Sequence, residues 1–532
     1  MTGSAMTPVP IAGGTTSSYH SGLGEGPGGF AQVLRAEWTK FRTVRGWVIG
    51  VVIAALVILG IAMLDHSSCG GTVLPGGASV AGLGCSSPVG PGGEAVTDSA
   101  YFVHRPLAAG GSITARVTSL TGQAAGPAGS GLEPWSKAGI IIKASDRPGS
   151  AYAAMMVTAG HGVRMQYNFT GDIAGPAGAV SGGSSRWLRL TRSGDAVTGY
   201  DSADGTHWHL VGIAHLAGLP ATTLAGLFVA SPAGSGSVTS SSISGSSAES
   251  GISLATARFD HVSLHGGQPG ATWAGGNIGG NAGAPSQTGF QAADGAITVT
   301  GSGDIAPDVP AAPQGDGSPI ELTLQGIFGC LIAVIVVGAM FMTAEYRRGL
   351  IRVTLAACPR RGLVLAAKAI VIGSVSFVAG LAGSVAALPL GEHLLRSNGV
   401  FIVPVSLATE VRVVTGTAAL AAVTAVLAVA LGALLRSSAA AVAIAITVVV
   451  LPYLLGSTVL RSGAAGDWLL RVTPAAGFAI QQSLPQYPQV AASYTPANGY
   501  FPLGPWAGFA VLCGYAALAF GLALYLLRRR DT

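Results

Sequence analysis

The stretch Glu345-Tyr-Arg-Arg-Gly-Leu-Ile-Arg-Val-Thr-Leu-Ala-Ala-Cys-Pro-Arg-Arg-Gly362 decides the fold, because it places five arginines between two long apolar runs. A charged side chain at the centre of a bilayer costs roughly 2.5–3.5 kcal/mol, so this stretch must lie outside the lipid. The apolar positions between the arginines are compatible with a short amphipathic helix that ends near Pro359. The pattern therefore predicts a polar loop that joins two membrane spans.

The composition of the whole chain is that of a membrane protein with several spans. Of its 532 residues, 49% are apolar and only 10% are charged, and the mean hydropathy is +0.54. Ordinary soluble domains are about one quarter charged. The formal net charge of +5 follows from where the arginines lie around the spans, so we expect no nucleic-acid partner.

Six apolar runs are each long enough to cross about 30 Å of hydrocarbon. They cover residues 47–64, 322–344, 369–390, 413–435, 437–460 and 506–527. Before the first run, residues 1–29 have the composition of a disordered tail. We predict an amphipathic helix over residues 30–46, lying in the headgroup layer with its apolar side formed by Phe30, Leu34, Trp38 and Phe41.

The distribution of Lys and Arg predicts the orientation of the spans. With the N-terminus inside, fourteen of these residues lie in the tails and loops on the cytoplasmic side, and four lie in the short loops outside. Positive residues in short loops mark the cytoplasmic face, whereas long segments cross the membrane regardless of their charge. Both termini are therefore expected in the cytoplasm, and residues 65–321 outside the cell.

The long outer segment has the pattern of an all-β domain. Val163, Met165, Tyr167 and Phe169 alternate with polar residues, as in a half-buried strand, and turn residues separate several short runs of this kind. The pattern predicts an antiparallel sandwich over residues 94–266, with Gly- and Pro-rich linkers at 65–93 and 267–321. Cys69 and Cys85 are the two cysteines of this segment, and an oxidising location would allow them to form a disulfide.

Three stretches of the chain resemble known families. The loop pattern E-Y-R-x-G-x-I-R-x-T-L-A-A-x-P-R-R, and L-R-A-E-W-T-K-F-R before the first span, resemble ABC-2 type transporter permeases. The runs K-A-G-I-I-I-K, W-L-R-L-T-R-S-G and G-Y-D-S-A-D-G-T-H-W resemble LamG-like or concanavalin-like jelly rolls. The fold class expected is therefore mixed, with a six-helix transmembrane domain and an extracellular all-β jelly roll. The large insertion departs from the short first outer loop that is usual in such permeases.

The resemblance implies a set of partners and a coupling loop. ABC-2 permeases work as two six-span units, which are identical or different, with two separate ATPase subunits that bind ATP. The cytoplasmic loop over residues 345–368 is implied to dock on the ATPase. Its candidate coupling residues are Glu345, Arg347, Arg348, Leu350, Ile351, Arg352, Leu355, Arg360 and Arg361.

The chain lacks the motifs of an ATPase or another enzyme. It contains no G-x-x-x-x-G-K-[S/T] phosphate loop, so ATP hydrolysis is expected in the partner, and no cofactor is expected in this chain. His161, His207 and His209 lack the carboxylate or Cys neighbours of a metal site and are interpreted as surface residues. Trp187, Tyr200 and Trp208 are candidates for stacking on a sugar, although packing in the core is an alternative for them.

Two functions fit the sequence. The first is an exporter permease of unidentified substrate, driven by a separate ATPase. The alternative is a membrane-anchored sensor or cell-wall-binding protein whose outer domain holds a glycan. One or two spans would be enough for an anchor, so six spans that carry almost no charge favour transport.

The predicted topology can be tested with single cysteines in a variant that lacks the native ones. A membrane-impermeant maleimide added to intact cells should label cysteines placed within residues 100–300, because these lie outside. It should not label cysteines within 345–362 until the cells are permeabilised, and labelling of position 350 in intact cells would contradict the six-span topology.

Overall fold

The structure of the chain is a computed structural model. It describes residues 29–64, 87–123, 132–176, 185–233, 239–242, 245–248, 253–279, 287–309, 317–349, 360–459, 464–490, 492 and 494–529. Cys69 and Cys85 lie outside the described residues, so their disulfide stays a prediction.

The helices flank a long β-rich segment. In the described part of the chain they are α1 (Phe30–Thr43), α2 (Arg45–Leu64), α3 (Ile327–Arg347), α4 (Arg361–Ser397), α5 (Leu407–Leu435), α6 (Ser438–Val449), α7 (Leu451–Leu454), α8 (Ala464–Val472) and α9 (Pro505–Arg529). Three 3-10 turns cover Ile320–Leu324, Pro474–Gln481 and Pro496–Asn498, and a π-helical turn covers Leu455–Val459.

Six helical segments of the described residues are long and apolar enough to cross a membrane, which confirms the predicted six-helix class. They are Arg45–Leu64, Ile320–Arg347, Arg361–Ser397, Leu407–Leu435, Ser438–Ser457 and Pro505–Arg529. The central helix is α5, which contacts α3, α4, α6 and α9. Glycine allows the closest approach: a Cβ on Gly338 of α3 would lie 2.8 Å from the carbonyl oxygen of Ala425 on α5. Small residues at such crossings are typical of membrane helices.

The junction between α5 and α6 is a two-residue turn, Arg436 and Ser437. Arg436 follows α5 with a left-handed φ of 54°. The hydroxyl of Ser437 then accepts a hydrogen bond from the backbone N–H of Ala440 at 3.5 Å and caps α6. Further along, α6 ends at Val449 and α7 begins at Leu451, with Pro452 in its first turn. A proline has no N–H to donate, so the helix is interrupted here.

The helix α4 is longer than the predicted span. It covers 37 residues, Arg361–Ser397, whereas the sequence predicted a span over 369–390 and a loop that reached residue 368. At 1.5 Å per residue this helix is about 55 Å long, well over the thickness of the hydrocarbon. The predicted span was limited by the charged residues on either side of it, Lys368 and Glu392, because a charge normally marks the edge of a span. Lys368 is nevertheless fully buried within the helix, in ion pairs.

The β-rich segment lies between α2 and α3 and forms one domain, here called the β domain (residues 96–307). Its strands are β1 (Val96–Asp98), β2 (Ala100–Gln123), β3 (Lys137–Lys143), β4 (Tyr152–Thr158), β5 (Gly162–Tyr167), β6 (Gly171–Ala174), β7 (Arg186–Ser193), β8 (Ala196–Ser202), β9 (His209–His215), β10 (Thr222–Ala230), β11 (Thr239–Ser242), β12 (Gly245–Ala248), β13 (Leu254–Gly267), β14 (Ala274–Ile278), β15 (Gly289–Ala293), β16 (Ala296–Gly301) and β17 (Ile305–Pro307).

The long strand β2 belongs to both layers of a sandwich. Its first half pairs with β10 and β14, and its second half pairs with β7 and β13, all antiparallel. From β10 the sheet continues through β3, β4, β5 and β6, and from β7 through β8 and β9. The apolar residues that alternate along these strands, such as Val103, Ile140, Met155 and Leu190, fill the core between the layers. The predicted all-β sandwich is therefore present.

The sandwich extends beyond the predicted end at residue 266. Within the segment predicted as a linker over 267–321, β14 pairs with β2, and β16 pairs with β13 and β15. This prediction was wrong because β14 and β15 are rich in Gly and Ala and show little of the alternation that marks a half-buried strand. The segment has the composition of a tether, and the partner strands determine its structure.

The two ends of the β domain meet. Strand β1 pairs antiparallel with β17, so that Val96 lies opposite Pro307 and Asp98 opposite Ile305. Beside this pair, Lys143 Nζ lies 2.6 Å from Asp98 Oδ2, and both side chains are fully buried. The backbone N–H of Gly149 donates to the same oxygen at 2.7 Å. Burial raises the pKa of Asp98 and lowers the pKa of Lys143, and the attraction between the two charges opposes both shifts.

Replacing Asp98 by Asn should destabilise the β domain, because the ammonium group of Lys143 would stay buried without its counter-charge. We expect the free energy of unfolding of a soluble fragment, residues 65–318, to fall by about 3–5 kcal/mol in a denaturant titration followed by circular dichroism. Asp294→Asn, in the exposed turn between β15 and β16, is the matched control and should change it by less than about 0.5 kcal/mol. Equal stability of the two variants would contradict a structural role for the pair.

Candidate functional site: a buried ion-pair cluster in the helical bundle

Three helices place charged residues together at one end of the bundle, here called the α1 end. Glu37 and Lys40 are one turn apart on α1, Glu345 lies in the last turn of α3, and Lys368 lies near the start of α4. The facing side of α1 is set by residues at helical spacing, because Glu37 and Phe41 are both buried. We call Glu37, Lys40, Glu345 and Lys368 the ion-pair cluster.

Lys368 is the centre of the ion-pair cluster. Its Nζ donates at 2.7 Å to Glu37 Oε2 and at 2.7 Å to Glu345 Oε1. The same nitrogen lies 4.5 Å from the centroid of the Phe341 ring, in a cation–π contact. The Lys368 side chain is fully buried, so its charge is balanced entirely by these neighbours.

Lys40 completes the ion-pair cluster from the solvent side. Its Nζ donates at 2.7 Å to Glu37 Oε1 and at 3.0 Å to Glu345 Oε1. Partial burial on its own would lower the pKa of Lys40, but the hydrogen bonds to the two carboxylates outweigh it and raise the pKa above its usual value. Two cations and two carboxylates thus alternate in space, and α1, α3 and α4 are joined by charge as well as by apolar packing.

The predicted residues of the α1 helix lie on two sides of it. Phe41 is buried and its ring centroid lies 6.2 Å from that of Phe341 on α3. Leu34 is half-buried and packs against the core of the bundle. Phe30 and Trp38 are exposed. The helix therefore packs on the bundle through one side and leaves aromatic rings on the other.

The candidate coupling loop begins and ends beside the ion-pair cluster. Arg347 and Arg348 are exposed at the end of α3, and Arg360 is exposed just before α4. Arg361 is half-buried, and its Nη1 donates to the carbonyl oxygen of Leu527 on α9 at 2.7 Å. The centre of the loop, with Leu350, Ile351, Arg352 and Leu355, lies outside the described residues.

Comparison with known proteins gives the family. The model of the ABC-2 family transporter protein matches residues 230–532, which is more than half of the chain. The chain belongs to the ABC-2 transporter family. It is therefore a membrane permease of the ABC-2 type, a transport component that is not itself catalytic. The match begins inside the β domain, at the end of β10. No curated protein matches the permease.

Several solved structures are similar to part of the permease, all at low identity. A functionally unknown protein from Saccharomyces cerevisiae has a TM-score of 0.18 and 14% identity, over 31% of the permease and 75% of that chain. The GH43 BlXynB protein from Bacillus licheniformis has a TM-score of 0.19 and 18% identity, over 30% of the permease and 28% of that chain. Scytalido-glutamic peptidase has a TM-score of 0.26 and 8% identity, over 39% of the permease and 98% of that chain.

The three candidate aromatic residues of the β domain lie on or just before three neighbouring strands, β7, β8 and β9. Trp187 on β7 and Tyr200 on β8 are half-buried, and Trp208 precedes β9. The guanidinium carbon of Arg116 lies 5.5 Å from the ring centroid of Trp187, and that of Arg189 lies 3.8 Å from the ring centroid of Trp208. A sugar that stacked on Trp208 would have to displace Arg189 or approach the other face of the ring.

Sequence reasoning did not assign Glu37, Lys40 and Lys368 to a common site. Glu37 is the single acidic residue of a basic helix, and Lys368 interrupts an apolar run. A charge that breaks the pattern of its own element was the available signal. Glu37 and Lys40 are close in sequence, but Glu345 and Lys368, with which they pair, are far away, so the pattern alone could not bring the four together.

Replacing Lys368 by Met should weaken the α1 end of the bundle, since two carboxylates would then share only Lys40. We expect a loss of about 3–5 kcal/mol in stability, seen as a lower melting temperature in detergent and as faster tryptic cleavage at Arg35 and Arg42 in α1. Lys40→Met is the comparison variant and should lose less, because the Lys40 side chain is 38% exposed. A Lys368→Met variant as stable and as protease-resistant as wild type would show that the cluster does not hold α1.

Proposed function

We propose that this permease is the membrane subunit of an exporter that is driven by a separate ABC ATPase. Family membership supports the partner, and the absence of a phosphate-binding loop from the full sequence requires ATP to be hydrolysed elsewhere. The working transporter contains two permease units and two ATPase subunits. The second permease is either another copy of this chain or a different one, and the substrate is not assigned.

The observation that carries the proposal is the ion-pair cluster beside the candidate coupling loop. Glu345 is two residues from the end of α3, Lys368 is in the second turn of α4, and the segment 348–360 connects the two helices. A partner that pulls or pushes on this segment acts on α3 and α4 directly. Through Glu37 and Lys40 the same force reaches α1.

The charges of the cluster suit this role. Breaking a buried ion pair by removing one of its two charges costs several kcal/mol. At this end of the bundle, the three helices therefore move together at a lower cost than they separate. A helical anchor for a sensor has no need of such a connection. The exporter is therefore favoured over the membrane-anchored, glycan-binding sensor that the sequence also allowed.

The proposal includes an orientation. The α1 end and the loop lie in the cytoplasm, α1 rests in the headgroup layer with Trp38 and Phe30 toward lipid, and the β domain lies outside the cell as a LamG-like or concanavalin-like module. The surplus of Lys and Arg at the α1 end supports this arrangement, and so does the exposure of the two aromatic rings. An extracellular glycan is the proposed ligand class of the module.

Charge reversal in the loop should uncouple the ATPase. Arginines pair with carboxylates through two parallel hydrogen bonds, so Arg348→Glu together with Arg352→Glu, or Leu355→Asp alone, should abolish co-purification of the ATPase partner. ATP hydrolysis by the purified complex should fall at least about tenfold, a loss of about 1.4 kcal/mol.

The matched control is Arg396→Glu, an exposed charge reversal near the opposite end of α4. It should leave co-purification and hydrolysis at wild-type levels. All variants must insert into the membrane and elute from size exclusion as wild type does. Normal association and hydrolysis in the loop variants would show that the loop only sets topology.

A further inference from the structure

A pocket with mostly apolar walls and one buried carboxylate lies at the end of the bundle opposite to the ion-pair cluster. It has a volume of about 230 Å³ and is bounded by the 3-10 turn Ile320–Leu324, the first turn of α3, the π-helical turn Leu455–Val459 and the segment 496–501. The exposed side chain of Gln325 lies at its rim. The residues that carry the argument are Glu321, Phe328, Tyr453 and Phe501, and we call this the Glu321 pocket.

Glu321 brings an unsatisfied negative group to the pocket. Its side chain is only 9% exposed. Its Oε1 accepts a hydrogen bond from the backbone N–H of Ser483 at 3.2 Å. Its Oε2 is buried and has no hydrogen-bond partner among the described residues. A buried carboxylate oxygen without a partner is costly, so a ligand that brings positive charge to it is stabilised.

The nearby cation Arg412 is engaged elsewhere. Its guanidinium donates to the carbonyl oxygen of Ile480 at 3.1 Å and to that of Gln482 at 2.8 Å. These bonds hold the segment after the 3-10 turn Pro474–Gln481 against α5. Two of the five N–H donors of Arg412 are thus used on backbone, neither bond reaches Glu321, and Oε2 of Glu321 is left for a ligand.

Three aromatic rings form part of the pocket wall. The ring centroid of Tyr453 lies 4.8 Å from that of Phe328 and 6.2 Å from that of Phe501. The Tyr453 hydroxyl donates to the carbonyl oxygen of Pro496 at 3.1 Å, which fixes the position of its ring. Aromatic rings attract cations through their negative faces, and this attraction is strongest where water is excluded.

We infer that the Glu321 pocket is a binding site for a small organic ammonium ion. The charge of the ion lies at Oε2 of Glu321, and its alkyl groups lie against Phe328, Tyr453 and Phe501. The volume limits the ligand to a small ion, since pockets for drug-sized molecules hold about 300–1,000 Å³. An inorganic cation would gain from the carboxylate but would leave the apolar walls of the pocket poorly filled. The site goes beyond the proposed function, because binding here does not require that the ion be exported.

The test uses choline as the probe and 3,3-dimethyl-1-butanol as its uncharged counterpart of the same shape. The full-length permease, purified in lipid nanodiscs, is titrated with each compound by isothermal titration calorimetry. We expect wild type to bind choline and to bind the alcohol at least about tenfold more weakly, since the charge is the main contribution. Potassium chloride at equal concentration should not compete.

Glu321→Gln keeps the shape of the side chain and removes its charge, and it should weaken choline binding at least about tenfold. Glu392→Gln, a carboxylate on α4 that pairs with Arg396, is the matched control and should bind as wild type does. Tyr453→Leu should weaken binding, whereas Tyr453→Phe, which keeps the ring, should retain it within about threefold. This second pair of variants decides the matter if Glu321→Gln does not fold.

Three results would overturn the inference. The first is folded wild type that does not bind choline. The second is equal affinity of wild type and Glu321→Gln, and the third is displacement of choline by potassium. Association with the ATPase is measured in the same preparations and should be unchanged in the pocket variants. Failure of this site is therefore distinguishable from failure of the exporter proposal.

Discussion

The burial of the Lys368 ammonium group is the constraint on which the α1 end of the bundle depends. A cation with no access to water must be balanced by carboxylates, and the two that do so come from different helices, Glu37 on α1 and Glu345 on α3. Each helix could slide or tilt on its apolar neighbours at modest cost, but none can leave the group without exposing an unpaired buried charge. Apolar contacts hold the bundle together, and the charges determine which parts of α1, α3 and α4 face one another.

A large β domain can interrupt this bundle because its ends meet. The antiparallel pair of β1 with β17 brings residues 96 and 307 side by side, so the chain enters and leaves the β domain at nearly one place. Domains whose termini are close together can be inserted into another fold with little effect on its connectivity. Contact with the bundle is also close here, since Val309 packs in one small core with Val490 and Tyr500. The inserted domain is thus fastened to the loop before α9 as well as to α2 and α3.

The sequence was most informative where a pattern lies within one element. Apolar length predicted six spans, and alternation in strands such as β5 and β7 predicted a sandwich, because both signals are local. The sequence was least informative where a partner far away decides the outcome. Strands β14 and β15 are too rich in Gly and Ala to show alternation, and they are strands because β2 and β16 offer them free edges. Lys368 interrupts an apolar run, and Glu321 precedes one. Only the elements packed against them allow these charges to be buried.

The helix α3 connects the two polar regions of the bundle. The 3-10 turn that leads into it carries Glu321, and its last turn carries Glu345. Glu345 follows Glu321 by 24 positions, which at 1.5 Å per residue span about 36 Å, more than the hydrocarbon thickness of about 30 Å. One rigid element therefore has a buried carboxylate beyond each side of the apolar layer. If α3 tilts about its middle, where Gly338 contacts α5, its two ends must move in opposite directions. A change at the ion-pair cluster and a change at the Glu321 pocket are then two ends of the same motion.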